Sequence, residues 1–201
     1  FTNDGLHRNG HDANGDPVNG TPRQINSTTY PTATPTATAT AVSPGAIIIN
    51  EVAWAGTGAS STDEWIELFN PSGGPINLTG WMLTDGGDLN VSLSGVLGPG
   101  SYYLMERTSD STVSDIGANL IYSGGLNNGG ELLTLLDPSS VVIDTVNGAG
   151  GWPGGSDERR ASMERVSSGP DTPGNWATNY GHIINGRDAV GNPIQGTPGM
   201  E

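Results

Sequence analysis

Apolar and polar positions alternate over short stretches of this chain, and Gly, Pro, Asn or Asp interrupts them every few residues. The densest apolar stretch, Ile47–Leu83, holds three of the five tryptophans. Within it, Glu64–Phe69 reads Glu-Trp-Ile-Glu-Leu-Phe, which predicts a strand with at least one buried face. Asn70-Pro71 and Gly73-Gly74 then predict a turn, so the chain should return to the same sheet.

The same pattern continues to about residue 165, and helical spacing of apolar residues is nearly absent. The clearest hairpin pairs Leu132–Leu136 with Val141–Val146 around Asp-Pro-Ser-Ser. Nine short strands at this spacing predict an all-β sandwich. The predicted strands are 47–53, 65–70, 80–84, 89–93, 102–106, 120–122, 132–136, 141–146 and 161–165.

Beyond Arg165, Gly and Pro are frequent, and we expect regular structure to fade there. Trp176 and the pair Ile183-Ile184 are the main apolar residues of this tail. We expect them to pack the tail onto the sandwich.

The beginning of the chain repeats its end. Thr2–Pro22 aligns without gaps with Thr178–Pro198 at an offset of 176 residues, and twelve of the twenty-one positions are identical. An internal match of this length predicts a tandem array, in which Phe1–Gln24 is the closing segment of a preceding repeat. The alternative is two independent copies of a turn-rich tail peptide.

A tract that alternates Thr and Ala with periodic Pro lies within Ile25–Gly45. Such tracts stay extended, cannot bury a core, and are typical of stalks in exported proteins. The predicted organisation is therefore a closing segment (1–24), an extended linker (25–45) and a β-sandwich domain (46–201).

The formal net charge of −14 changes the range of partners. An acidic chain lacks the basic footprint of nucleic-acid binding and is repelled by anionic membrane surfaces.

The absence of cysteine excludes disulfides, thiol chemistry and cysteine-based zinc sites. No apolar run approaches the roughly 20 residues of a membrane span. The chain opens on neither Met nor a signal peptide, so we expect it to be a piece of a longer protein.

Metal ligands are sparse. His7 and His11 are four residues apart, but no helix is expected there to bring them together. Asp12-Ala-Asn14-Gly-Asp16 resembles the start of a calcium loop, yet Pro17 and Arg23 stand where that loop requires Gly and Glu. A turn with side-chain hydrogen bonds explains these residues, and weak Ca²⁺ contact remains the alternative.

Paired carboxylates do not form a catalytic pair here. Glu64 and Glu67 are three apart on one predicted strand, so their side chains leave on opposite faces. The sequence contains no nucleophile-elbow, zinc-protease, phosphate-loop or dinucleotide motif. We therefore expect a protein that is not an enzyme, with no catalytic residue, no metal and no cofactor.

The aromatic residues suggest core packing first and a carbohydrate platform second. Trp65 and Trp81 lie within apolar strands and should be buried. Trp54 and Trp152 lie beside glycines at strand ends, which makes them the better candidates for exposure and sugar stacking.

Several stretches of the chain together match the pattern of a known family. They are Ile49–Val52, Asp63–Pro71, Ile76, Leu78, Gly80-Trp81, Gly100–Leu104, Gly130-Glu131, Asp144–Val146, Gly151-Trp152 and Ser162–Arg165. In these stretches the chain resembles the lamin tail domain in the form found in bacterial surface and secreted proteins. The resemblance extends over about residues 46–200 and implies an immunoglobulin-like sandwich. It also includes Glu51 and Glu67, which it implies are acceptors for backbone donors rather than catalysts.

These features predict a secreted or cell-surface protein that carries a repeated, non-catalytic adhesion, spacer or protein-interaction module. The expected partner is a protein, a cell surface or a carbohydrate, without nucleic acid and without membrane insertion. We also expect the N-terminal segment, Phe1–Gln24, either to be mobile or to dock on another molecule. The alternative is an accessory carbohydrate- or ligand-binding module attached to an extracellular enzyme.

Overall fold

A computed structural model of the chain describes residues 10–18 and 42–200. The chain divides into two units, Phe1–Ala41 and Val42–Glu201. In the first unit, residues 10–18 form a tight turn whose ends are joined by a bridge between His11 and Pro17. The regular secondary structure of the second unit is almost entirely β, which confirms the expected immunoglobulin-like sandwich.

The second unit contains twelve strands and one short 3-10 turn, Pro173–Asn175. Frequent turn residues keep the strands to two to six residues each. The strands are β1 (Ile48–Ala53), β2 (Trp65–Phe69), β3 (Ile76–Asn77), β4 (Met82–Thr84), β5 (Asn90–Ser92), β6 (Val96–Leu97), β7 (Tyr102–Arg107), β8 (Leu120–Tyr122), β9 (Leu132–Leu136), β10 (Val142–Asn147), β11 (Met163–Arg165) and β12 (Trp176–Thr178).

The strands form two sheets and a small ribbon. One sheet has six strands in the order β12-β11-β1-β2-β7-β8, and the other has four in the order β10-β9-β4-β5. Strands β3 and β6 pair by themselves, and β4 belongs to the four-stranded sheet, so the expectation that the chain returns to the sheet of β2 after the turn at Asn70–Gly74 is wrong. All pairings are antiparallel except that of β7 with β8.

The main core consists of the residues that the two sheets turn toward each other. Alternation decides which residues these are, because successive side chains of a strand point to opposite faces. Thus Ile66 and Leu68 of β2 belong to the main core, whereas Trp65 belongs to a second cluster on the outer face of the six-stranded sheet. Each large apolar side chain buried in this way contributes about 1.5–3 kcal/mol.

All nine predicted strands are present, with end positions that differ by a few residues. The sequence did not predict β3, β6 or β12. The expectation that regular structure fades after Arg165 is wrong for β12, in which Trp176 pairs with Arg165 across to β11. The stretch 176–178 lies between Gly/Pro-rich segments and has one large apolar residue, Trp176, so its pattern did not predict a strand.

The tail packs onto the sandwich, but not through all of the expected residues. Trp176 is buried, as predicted. Ile183 and Ile184 are 59% and 41% exposed, so that part of the prediction is wrong. Ile194 anchors the tail instead, within a cluster that also contains Ala53, Trp65, Leu104 and Val113.

The ordered sandwich includes residues just before the predicted start at Ala46. Val42 packs against the main core, and the Gly45 amide donates to the Ile143 carbonyl at 2.8 Å.

Candidate functional site

Three glutamates lie side by side on the outer face of the six-stranded sheet. The strand register places Glu51 of β1 opposite Glu67 of β2 on one side and opposite Glu164 of β11 on the other. Residues paired across antiparallel strands have Cβ atoms about 4.5–5.5 Å apart. Such a row of carboxyl groups would normally face solvent, yet Glu51 and Glu67 are fully buried.

This row is covered by residues 178–200, and from here on the word tail refers to these residues alone. We call the surface beneath them the tail groove, and its floor consists of Glu51, Glu67, Glu164, Trp65 and Val113. The chain enters the tail directly from β12 at Thr178. Since β12 pairs with β11, the tail starts at the edge of the sheet that carries the three glutamates.

The glutamates bind the tail through two of its backbone amides and through the side chains of Asn179 and Thr197. Glu51 accepts from the amide of Thr197 at 2.9 Å, and Glu67 accepts from the amide of Gly199 at 2.5 Å. These bonds confirm that Glu51 and Glu67 are acceptors for backbone donors. At the other end of the row, Glu164 accepts from the Asn179 side-chain amide at 2.6 Å.

Burial raises the pKa of Glu51 and of Glu67, because a charged carboxylate loses its hydration there. The pKa of Glu67 rises to about 8, chiefly through desolvation. The pKa of Glu51 is raised well above its ordinary value by desolvation first and by the neighbouring Glu67 and Glu164 second. Near neutral pH the row therefore holds protons that free carboxyl groups would have lost.

The hydroxyl of Thr197 indicates where one of these protons lies. Its oxygen is 3.2 Å from Oε2 of Glu51 and 2.9 Å from Oε1 of Glu164. A hydroxyl carries one proton and cannot donate to both carboxyl groups. A protonated Glu51 resolves this conflict, because it donates to Thr197 Oγ1, which then donates to Glu164.

Shape complements these hydrogen bonds. A Cβ atom added at Gly196 would lie 2.7 Å from Cζ2 of Trp65 and 2.8 Å from Oε1 of Glu51. Gly186 has a φ of +93°, and a Cβ there would lie 2.7 Å from Val113 Cγ1. Glycine at these two positions is what allows the backbone of the tail to contact the floor of the groove.

The other candidate carboxyl group, Glu64, is also used within the fold. It pairs with Arg107 at 2.9 Å and accepts from the Leu126 amide at 2.8 Å. Glu64 and Glu67 therefore serve different faces of the sheet, as predicted. Because both groups are occupied by partners within the domain, this arrangement stabilises the fold and presents no acid–base pair to a substrate.

The two tryptophans proposed for exposure stack on each other instead. The rings of Trp54 and Trp152 are 6.2 Å apart and inclined by 10°. The prediction of exposure is wrong for Trp54, which is 7% exposed, whereas Trp152 is half-buried. Each indole N–H is bonded to a backbone carbonyl, of Gly154 for Trp54 and of Asn127 for Trp152. As predicted, Trp65 and Trp81 are buried.

The acidic loop near the N-terminus is a turn closed by its own side chain. Oδ1 of Asp12 accepts from the amides of Asn14 and Asp16 at 2.8 and 3.0 Å, which confirms the hydrogen-bonded turn. His11 is exposed, while His7 lies outside the described residues.

Within residues 10–18 and 42–200, no three acidic or histidine side chains are grouped as a metal site. No helix in that part of the chain is long and apolar enough to cross a membrane.

A separate cleft of about 490 Å³ lies beside β10. Asp144 lines it and pairs with Arg165 at 2.7 Å, and Asp144 also accepts from the Ile49 amide. A second lining carboxylate, Asp171, accepts from the Asn147 amide and from the Trp176 indole N–H. The charged groups of this cleft are therefore already bonded within the domain.

Sequence reasoning missed the groove-binding residues of the tail, above all Asn179, Gly196 and Thr197. A signal for them was present in the internal repeat, where Asn3, Gly20 and Thr21 are their identical counterparts. Without the tertiary contacts, however, shared turn residues and shared docking residues look the same.

Comparison with known proteins agrees with the fold. No curated protein matches the chain. The model of one family, the Lamin Tail Domain, matches residues 40–149, which are more than half of the chain. The match includes Glu51 and Glu67 and ends before β11, β12 and the tail. The chain therefore belongs to the lamin tail domain family, whose domains are immunoglobulin-like.

Proposed function

We propose that this domain is a non-catalytic protein-interaction and spacer module, used in repeated copies by a secreted or surface-exposed bacterial protein. The observation that carries the proposal is the use of Glu51, Glu67 and Glu164 to fasten the tail. Two neighbouring carboxyl groups with raised pKa values, such as Glu51 and Glu67, would be candidates for catalysis if they were open to a substrate. Here the tail fills that space, so the same residues build a closed and self-sufficient scaffold.

The surroundings of the sandwich support a spacer role. The Thr/Pro/Ala tract within Ile25–Gly45 suits a stalk, and the match between the two ends of the chain suits an array. The net charge of −14 keeps such a module soluble and disfavours nucleic acid as a partner. These features support an extracellular location, which rests on sequence alone.

Carbohydrate binding is the weaker alternative. Sugar platforms use exposed aromatic faces, and one face of the Trp152 ring is occupied by Trp54. Among the described aromatic residues, Tyr180 is the most exposed at 63%, and the guanidinium of Arg159 lies 5.9 Å from the centre of its ring. No observation favours a saccharide over a protein partner.

Attachment to cells tests the proposal. Beads coated with the chain are incubated with a panel of bacterial cells and with purified surface proteins, with and without an excess of mixed oligosaccharides. We expect attachment that resists the sugars and is unchanged in Trp152→Ala, provided that circular dichroism shows this variant to be folded. Attachment that is abolished both by sugars and by Trp152→Ala would establish the carbohydrate alternative. Turnover of a polysaccharide, ester or peptide substrate by the purified chain would overturn the non-catalytic assignment.

A further inference from the structure

Residues 10–18 fold like residues 186–194, their counterparts in the internal repeat. In both segments an aspartate, Asp12 or Asp188, accepts two amides through Oδ1 and closes the same turn. The bridge between His11 and Pro17 has its counterpart between Arg187 and Pro193. Three backbone hydrogen bonds also correspond. The bond Asp12 N–Asp16 O of 2.8 Å matches Asp188 N–Asn192 O of 2.8 Å, and Gly15 N–Asp12 O of 3.1 Å matches Gly191 N–Asp188 O of 2.9 Å. The bond Val18 N–Gly10 O of 3.1 Å matches Ile194 N–Gly186 O of 3.2 Å.

The N-terminal copy retains the buried positions of the docked tail. Six positions of Thr178–Pro198 are buried: 179, 188, 194, 196, 197 and 198. Five of them are identical in the N-terminal copy, and the sixth, Ile194, is Val18 there. Two independent copies of a turn-rich peptide would share the residues of the turn but would not need to share the residues that are buried against the groove.

The retained residues are those that the groove requires. Asn179, Gly196 and Thr197 contact Glu164, Trp65 and Glu51, and their counterparts in the sequence are Asn3, Gly20 and Thr21. The bond from the Gly199 amide to Glu67 is not among these retained contacts, because Gly199 has a φ of +79°, which favours glycine, and the corresponding residue is Arg23, outside Thr2–Pro22.

Most of the positions at which the two segments differ are exposed in the docked tail. Of the nine positions that differ, seven are exposed in the docked tail, and the other two are the conservative pairs Ile194/Val18 and Gln195/Asn19. Tyr180, Ile183, Ile184 and Val190 are 41–71% exposed, and polar residues replace them in the N-terminal copy.

We propose that Thr2–Pro22 is a docking segment for a second copy of this domain, whose tail groove it closes in the way that Thr178–Pro198 closes the groove seen here. The groove of this chain is already filled by its own tail, which enters from β12 without a linker. Because a complete copy fills its groove with its own tail, the segment serves a copy that has no other tail, namely the repeat that precedes it in the array. This inference extends the proposed function by naming a partner, and it stands or falls separately, because attachment to cells does not depend on it.

A chimeric tail tests whether the N-terminal segment can close the groove. In the full chain, the tail receives the nine residues of the N-terminal copy, and urea unfolding is measured. We expect the unfolding equilibrium constant to rise by no more than about tenfold, since the only buried change removes one methyl group. The substitutions are Tyr180→Asp, His182→Leu, Ile183→His, Ile184→Arg, Arg187→His, Val190→Asn, Asn192→Asp, Ile194→Val and Gln195→Asn.

The matched control alters three of the shared positions, by Asn179→Ala, Gly196→Ala and Thr197→Val, and leaves the nine differing ones unchanged. Here we expect a rise of more than about a hundredfold, because a steric clash and unsatisfied buried groups are introduced. A chimera that is as unstable as this control would overturn the proposal.

A peptide tests docking between separate molecules. The probe is a synthetic peptide of residues 2–22, added to the full chain carrying Gly20→Ala and Gly196→Ala, so that neither of its own segments fits the groove. We expect the peptide to raise the melting temperature by several degrees, as a ligand of the folded state does. A peptide carrying Gly20→Ala should have no effect. Equal effects of the two peptides, or no effect of either on a folded chain, would overturn the proposal, and if the doubly substituted chain does not fold, the chimera decides.

Discussion

At the scale of single residues, the unusual feature is a row of carboxyl groups that the fold buries and then uses as hydrogen-bond acceptors. Burying a charge is costly, and the cost falls when the group keeps its proton and its oxygens find donors. Glu51 meets both conditions, because its pKa is raised and its Oε1 accepts from the Ser162 hydroxyl and the Thr197 amide, while its own proton is donated to the Thr197 hydroxyl. Holding a proton therefore favours the folded state.

This linkage predicts that stability falls as pH rises. A carboxyl group whose pKa is raised by folding binds more protons in the folded chain than in the unfolded one, so its contribution is complete below pH 4.5 and is lost as pH rises through the folded value. For Glu67 that window runs from 4.5 to about 8. We expect the free energy of unfolding, measured in urea, to decrease between pH 5 and pH 9.

The variant Glu51→Gln should reduce this decrease, because an amide imitates the protonated acid and cannot ionise. Glu158→Gln, a change at an exposed carboxyl group, is the control and should leave the pH dependence as it is. A pH profile that is the same in Glu51→Gln and in the unchanged chain would contradict the protonation assigned to Glu51.

At the scale of elements, the tail is held by one apolar anchor and a series of backbone bonds rather than by its most hydrophobic pair. Ile194 is 5% exposed and packs with Val113 and Trp65, whereas Ile183 and Ile184 face solvent. The two neighbouring isoleucines dominate the sequence of the tail. The side-chain amide of Asn179 donates to the backbone carbonyl of Ile183, and in the chain held in this way both isoleucine side chains face solvent.

The anchor and its control can be compared within the same element. Ile194→Ala should lower the free energy of unfolding by about 2–4 kcal/mol, since it removes a buried aliphatic side chain and leaves a cavity. Ile184→Ala, the same change at a 41% exposed position, should cost less than about 1 kcal/mol. Urea unfolding at a fixed pH measures both, and equal losses would show that the tail packs differently.

At the scale of the whole molecule, the sandwich of Val42–Glu201 closes its core and its outer face with its own residues. Its tail groove is filled, Glu51, Glu64 and Glu67 accept hydrogen bonds within the domain, and Val42 is the first described residue of this unit that packs against its core. The proposed role of residues 1–24 lies with a second copy of the domain, so this domain should not need them for its own stability.

Deletion of residues 1–41 should therefore change the free energy of unfolding by less than about 1 kcal/mol, which is small against the 5–15 kcal/mol of a typical domain. Urea unfolding of the shortened chain at low concentration, where it is monomeric, gives the measurement. A loss greater than about 2 kcal/mol would mean that the segment belongs to this sandwich, and the array interpretation would then need replacing.

The amino-acid sequence by itself determined the class of fold, the positions of nine strands and the internal repeat. These depend on local patterns, namely period-two alternation, turn residues and identity at a fixed offset, which can be read without knowing which strands are neighbours. Resemblance to a known family added the immunoglobulin-like character and the role of Glu51 and Glu67 as acceptors. The burial of Trp65 and Trp81 followed from their places within apolar strands.

Only the tertiary structure decided which residues meet across the sandwich. Glu51, Glu67 and Glu164 come together because β1 lies between β2 and β11, an order that no local pattern encodes. Thr197 reaches Glu51 across 146 residues of chain, and Ile194 is buried because Val113 lies where the tail crosses the sheet. Trp54 is covered by Trp152 for the same reason: burial at a strand end depends on what a distant loop places above it.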